Sequence, residues 1–231
     1  MRPLYRLSPE FTAPLDRYKS WVFSARTQAS LASKIRIPTN ALFRQGRGEE
    51  ACTIDYLMRI DHSAHGGLAA DEQGFNLNYG FLKNHPQVVD PDFLDDIRTA
   101  SLELDDELQN LLGAKACALK MYYPAGGFIG WHTNWDYGGY NIVFTYTATG
   151  GGYWRHIDPA GSQTVVPEPT RLTHIDDVPG WHCKVGYYGK KTETDRLVWH
   201  CAYAREPRIT IGYVVGERAI WENMVEEIEG G

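Results

Sequence analysis

The sequence predicts a mainly β fold with helical elements: an antiparallel sandwich or barrel in its second half, and a mixed, partly helical annex before it. Three observations predict this. First, segments rich in aromatic and β-branched residues follow one another at Ala116 to Tyr123, Tyr140 to Tyr146, Gly152 to Ile157, Trp181 to Tyr188, Arg196 to Ala204 and Arg208 to Val215. Second, turn signals separate them at Gly126-Gly127, Gly138-Gly139, Gly150-Gly151-Gly152, Asp158-Pro159-Ala160-Gly161, Pro179-Gly180 and Glu206-Pro207. Third, no helical periodicity intervenes between the strands, which argues against a parallel α/β sheet.

Taken in chain order, residues 1–115 form the annex. A helical stretch runs near Gln28 to Ile35, and a Gly/Arg turn follows at Gly46 to Gly48. From Pro91 the pattern sharpens, with Phe93, Ile97, Leu104, Leu108 and Leu111 recurring at helical spacing. Asp90 or Pro91 can open this helix and Gly113 can close it, and its apolar stripe should pack on a sheet. Residues 116–216 form the β-core. In the tail, 217–231, Trp221, Met224, Val225 and Ile228 share one stripe of a short acidic helix. A length of 231 residues suits one domain spanning 1–231.

Composition narrows the partners. The formal charge of -6 gives no general attraction to nucleic acid or to an anionic membrane, so neither partner is expected. Cys52, Cys117, Cys183 and Cys201 form no C-x-x-C pair and are expected to be reduced and buried. Met1 to Pro14 carries prolines and charges where a signal peptide would be apolar, and no apolar run reaches about 18 residues. A cytoplasmic location is the expectation.

The chemistry is concentrated in polar residues on apolar strands, where burial is costly without a purpose. His132 follows the glycine-broken segment Gly126 to Trp131, and His200 sits inside Leu197-Val198-Trp199-His200-Cys201-Ala202. Arg208 stands just past the turn at Pro207 and begins Arg208-Ile209-Thr210-Ile211-Gly212. Two imidazoles from distant strands and an inward guanidinium suit an iron with open positions and a dicarboxylate held by a two-pronged cation.

At these residues the chain resembles the Fe(II)/2-oxoglutarate-dependent oxygenases, whose double-stranded β-helix, a jelly-roll related to that of cupins, carries H-x-D/E, a distal His and an Arg in R-x-S/T. His132-Thr133-Asn134, His200 and Arg208-Ile209-Thr210 hold those places. Tyr122-Tyr123-Pro124-Ala125-Gly126-Gly127 is similar to the Tyr-x-Pro-Gly lead-in of prolyl hydroxylases and DNA dealkylases. The Gly-Trp-His-Thr-Asn wording is similar to small oxygenases of bacteriophage genomes. The resemblance implies His132 and His200 as iron ligands and catalytic residues, with Asn134 as third ligand. It also implies Tyr122, Arg208 and Thr210 as contacts of 2-oxoglutarate, and O2 as oxidant. The implied reaction hydroxylates a small molecule or side chain while 2-oxoglutarate becomes succinate and CO2. Trp131, Trp135, Trp154 and Trp199 would shield the oxidant.

The departure from the family pattern is Asn134, where an acidic residue is usual. An amide brings no charge, so the site should hold iron less firmly before a dianionic cosubstrate arrives. Asp136 is the next candidate, ~13 Å beyond His132 on an extended strand at ~3.3 Å per residue, unless Gly138-Gly139 curls the chain back. Asp158 ranks third. A site of two histidines alone is a further alternative, and in this family it supports halogenation when a halide takes the vacant place. Other readings stay open: a cupin-like binding module or inactive oxygenase relative that keeps the β-core as a scaffold, or a phage structural protein. His156, His174 and His182 are read as structural, and Asp61-His62-Ser63-Ala64-His65 as a polar loop despite its metal-like spacing. The annex and the Gly189 to Thr194 loop, with Lys190 and Lys191, are expected to border the substrate pocket.

Overall fold

From Asp90 to Gly113 the local instructions agree with one another. The Asp90 side chain accepts a hydrogen bond from the Phe93 N–H, Pro91 occupies the first turn, and Gly113 ends the helix at φ 56°. In the computed structural model, which describes residues 1–35, 45–60, 69–85, 89–134, 138–158 and 171–230, this is α5 (Pro91–Leu112). Before it come β1 (Arg2–Leu4), α1 (Pro9–Val22), α2 (Ala25–Ile35), a 3-10 turn (Gly48–Cys52) and α3 (Ile54–Leu57). β2 (Glu72–Gln73), β3 (Phe75–Asn76) and α4 (Tyr79–Leu82) complete the annex. After α5 run β4 (Ala114–Tyr123), β5 (Phe128–His132), β6 (Gly139–Thr147), β7 (Gly152–Ile157), β8 (Leu172–Asp176), β9 (Gly180–Tyr188), β10 (Trp199–Ala204) and β11 (Arg208–Val215). α6 (Arg218–Gly230) closes the chain.

The strands form two antiparallel sheets, one ordered β1-β9-β6-β11-β4-β3 and the other β2-β5-β10-β7-β8. From β4 onward the chain crosses between sheets at each step except β7 to β8, which pair directly. The result is a mainly antiparallel β-sandwich with helices.

Alternation along each strand assigns the faces. On β11, Ile209, Ile211, Tyr213 and Val215 join Phe93, Ile97, Leu104 and Leu108 of α5 in the largest core. Each such side chain contributes about 1.5–3 kcal/mol on burial. The same interface has a polar lock: the buried Lys120 ammonium donates to Ser101 Oγ at 2.7 Å and Asp105 at 2.5 Å, and Tyr213 Oη donates to Asp105 at 3.0 Å. The alternate residues of this sheet face the second sheet. Tyr188 meets Trp154, Ile175, Val198 and Ala202 there, and Met121 and Tyr123 meet Ala204. This interior between the sheets is where the polar residues collect. Among the described residues no helix is long and apolar enough to cross a membrane.

Two strands, β5 and β8, lie in stretches where apolar alternation is interrupted. β10 begins later than the sequence suggests, because Thr194–Arg196 forms a 3-10 turn instead of extended chain. α1 spans a stretch whose two prolines hide its period; Pro9 and Pro14 both sit within it, yet Phe11, Leu15, Tyr18 and Val22 are buried on one stripe.

Candidate active site

His132 and His200 are brought together by a β-bulge. β10 pairs with β5 as His200 to His132 and Ala202 to Ile129, so one extra residue lies on β5 between the two pairs. Ile129 packs into the interior and strict alternation would put Trp131 there as well. The bulge instead turns Trp131 to the outer face, where its indole donates to the Thr53 carbonyl at 2.8 Å, and turns His132 inward. The strand lies close to the annex here, since a Cβ on Gly130 would meet the Asp71 carbonyl at 2.8 Å.

The two rings stand with centroids 4.0 Å apart. His132 Nδ1 lies 2.8 Å from the Gly130 carbonyl and His200 Nδ1 lies 2.9 Å from the Val198 carbonyl. A carbonyl only accepts, so each Nδ1 carries a proton and directs it to the backbone, which leaves Nε2 as the nitrogen through which a ring could bind a metal. Carbonyl-anchored imidazoles of this tautomer are the usual form of histidine metal ligands. Burial, then the neighbouring His132, hold His200 well below the ordinary histidine pKa, so it is a neutral donor. Tyr188 at 4.8 Å and Trp154 at 5.9 Å complete an aromatic wall around it.

Arg208 stands at the far end of β10 and its turn, on the inner face of β11, and is 2% exposed. Its Nε donates to Asp177 Oδ2 at 2.9 Å, while its terminal nitrogens make no hydrogen bond among the described residues. Its guanidinium carbon lies 5.8 Å from the Tyr123 ring centre. Asp177 Oδ1 also accepts from Lys184 Nζ at 3.1 Å and lies 3.0 Å from His182 Nε2. Burial would raise the Asp177 carboxyl, but Arg208 and Lys184 hold it well below the usual carboxylate range. Thr210, on the same face two residues beyond Arg208, has a buried hydroxyl with no hydrogen-bond partner among the described residues.

No family model and no curated protein matches the chain. Among solved structures, it is similar to a Pseudomonas putida prolyl-4-hydroxylase. The match covers 80% of this chain and 88% of that one, at 16% identity and a TM-score of 0.31. The site is therefore read from its own geometry.

The residues singled out by sequence fall into three groups. His132 and His200 meet at one end of the interior, and Arg208 and Thr210 share its other sheet. Tyr122 does not join them. It lies on the helix-facing side, where its hydroxyl donates to Gln28 Oε1 at 3.1 Å, because alternation on β4 sends Tyr123 inward in its place. Trp154 lines the interior, whereas Trp131 and Trp199 belong to the core outside the second sheet. Asn134 lies half-buried just past the end of β5. Asp136 and Trp135 lie outside the described residues, as does the Asp61 to His65 segment. Asp158 is engaged elsewhere, accepting from His156 Nε2 at 2.9 Å. Among the described residues no group of three His, Cys, Asp or Glu side chains is placed to hold a metal. What they offer is two imidazoles with the Asn134 amide beyond. The Gly189 loop packs against Gly138, where an added Cβ would meet the Gly189 backbone at 2.7 Å.

Sequence reading leaves His156 and His182 structural, weighs Tyr123 only beside Tyr122, and does not single out Asp177 or Lys184, yet all five enter the interior. His156 is the register partner of His200 on β7, and Asp177, His182, Lys184 and Tyr123 surround Arg208. A signal existed for two of them: His182 and Lys184 are polar residues two apart on an apolar strand, the same feature that marks Arg208. Asp177 sits in an ordinary turn sequence and carries no such mark.

Proposed function

We propose that the chain is an Fe(II)- and 2-oxoglutarate-dependent oxygenase that uses O2 to hydroxylate a small molecule or side chain and releases succinate and CO2. On this reading the strands β4 to β11, ordered β4-β11-β6-β9 and β5-β10-β7-β8, are a double-stranded β-helix, or jelly-roll. The single observation that carries the proposal is the pairing of two Nδ1-anchored imidazoles at one end of the interior with a buried guanidinium at the other.

The separation suits the ligand. From His200 to the end of β10 is ~13 Å at ~3.3 Å per residue, a span that the length of an arginine side chain and a five-carbon dicarboxylate together can bridge. His132 and His200 would hold iron through Nε2, with Asn134 nearest in sequence for a third position. Arg208 would grip the distal carboxylate with its terminal nitrogens, Thr210 would donate its otherwise unpartnered hydroxyl, and Tyr123 would take the role that sequence resemblance gives to Tyr122. Iron and 2-oxoglutarate supply the oxidising chemistry when bound. The protein's part is to fix the cosubstrate between imidazoles and guanidinium and to exclude water with Trp154 and Tyr188. The test is Fe(II)-dependent conversion of 2-oxoglutarate to succinate. The reading requires turnover in the wild type and none in His200→Ala; turnover retained by that variant overturns it.

A further inference from the structure

We propose that Lys184 keeps Arg208 an anion receptor, by offsetting Asp177 so that the buried cluster retains one surplus positive charge for the distal carboxylate of a dicarboxylate ligand. This rests on the cosubstrate reading above.

An arginine paired with a single buried carboxylate is a neutral ion pair and attracts an incoming anion weakly. Arg208 and Asp177 alone would be such a pair, both shielded from solvent at 2% and 4% exposure. Lys184, at 1%, changes the balance. Among the described residues its ammonium lies against Asp177 Oδ1 at 3.1 Å, His182 Nε2 at 3.0 Å and Thr145 Oγ1 at 3.4 Å. In the proposal it acts on the anion through Asp177. His182 adds no charge, because burial holds its imidazole below the ordinary histidine pKa. Two cations then face one anion. An uncompensated charge in this interior is costly, and the terminal nitrogens of Arg208 and the unpartnered Thr210 hydroxyl are the donors a carboxylate would meet. Lys184 is thus a positioning residue for charge, on β9, with β6 between it and the strand that carries Arg208 and Thr210.

Binding of 2-oxoglutarate and of glutarate, which lacks the chelating oxo group, is measured by calorimetry on the Mn(II)-loaded protein. Lys184→Met should weaken both by roughly tenfold or more, the scale of one charge removed at partly screened interior distance. Lys184→Met combined with Asp177→Asn restores the net charge and should recover most of the affinity, which a purely structural role would not do. Wild-type binding should also weaken as pH rises through about 8, the value to which burial lowers Lys184 against the opposing pull of Asp177. The other titratable groups facing it do not change there: Asp177 stays ionised, His182 and Tyr123 stay neutral, and the Cys183 thiol is pushed up to about 12. The pH step needs no variant to fold, and Lys184→Met should abolish it. Equal binding by wild type and Lys184→Met, no recovery in a folded double variant, or a flat wild-type pH profile each overturns this proposal and leaves the oxygenase reading standing. A wild type that binds neither dicarboxylate overturns both.

Discussion

His132 and His200 are register partners on neighbouring antiparallel strands, and a single bulged residue is what turns the first of them toward the second. The approach of the two imidazoles is therefore a backbone property of β5, with Gly130 packed against the Asp71 carbonyl beside it. A side chain at Gly130 would push the strand off the annex and misplace His132.

Arg208→Lys should raise the KM for 2-oxoglutarate by at least about tenfold with little change in fold. A lysine can keep the ion pair with Asp177, but a point ammonium cannot reproduce a two-pronged grip on a second carboxylate. Steady-state kinetics against 2-oxoglutarate measure it, and an unchanged KM would move the cosubstrate elsewhere.

Tyr123→Phe and Tyr122→Phe should separate cleanly. Tyr123 stands beside Arg208 as its register partner on the neighbouring strand, so loss of its hydroxyl should weaken 2-oxoglutarate binding several-fold. Tyr122 faces the helices, and removing its hydroxyl should cost only about 1 kcal/mol of stability through the lost bond to Gln28. Parallel binding and denaturant titrations read both; the reverse pattern would mean that the inward face of β4 is assigned wrongly.

At the position that departs most from the family pattern, Asn134→Asp should tighten Fe(II) or Mn(II) binding in the absence of cosubstrate, because it adds a negative charge beside a divalent ion. If Asp136 is the third ligand, Asn134→Asp changes little and Asp136→Ala strips the metal. If neither substitution matters, two histidines suffice, and chloride or bromide should be offered and the product examined for a carbon–halogen bond.

Asp105→Ala tests the fold alone. It leaves the Lys120 ammonium, 0% exposed, without its carboxylate and Tyr213 without an acceptor, which should cost about 3 kcal/mol. Urea unfolding followed by fluorescence measures it, and Mn(II) affinity of the folded fraction should not change.

The legible parts of this protein are those where local pattern and tertiary need coincide. α5 could be read with both caps because Asp90, Pro91 and Gly113 act within one turn of the helix ends. Arg208 and the two histidines stood out as polar residues on strands otherwise apolar, and that reasoning extends to Lys184 and His182. What could not be read is what depends on facing. Tyr122 and Tyr123 are adjacent and chemically alike, and only the pairing of β4 with β11 decides which one enters the interior. The bulge in β5 leaves no local sign beyond its glycines, yet it decides the face of both Trp131 and His132. Asp177 is recruited by contacts from β9 and β11, distant in sequence from any motif.

The most direct test of the central claim is anaerobic titration of the Fe(II)-loaded protein with 2-oxoglutarate, followed in the visible spectrum. Chelation of iron by the oxo and carboxylate oxygens of the cosubstrate should produce a weak charge-transfer band. The band should require both components and saturate with 2-oxoglutarate. It should be missing in His200→Ala and shifted to higher 2-oxoglutarate concentration in Arg208→Lys. No band in the wild type, or a band of equal strength in His200→Ala, would contradict the assignment of this interior as an iron and 2-oxoglutarate site.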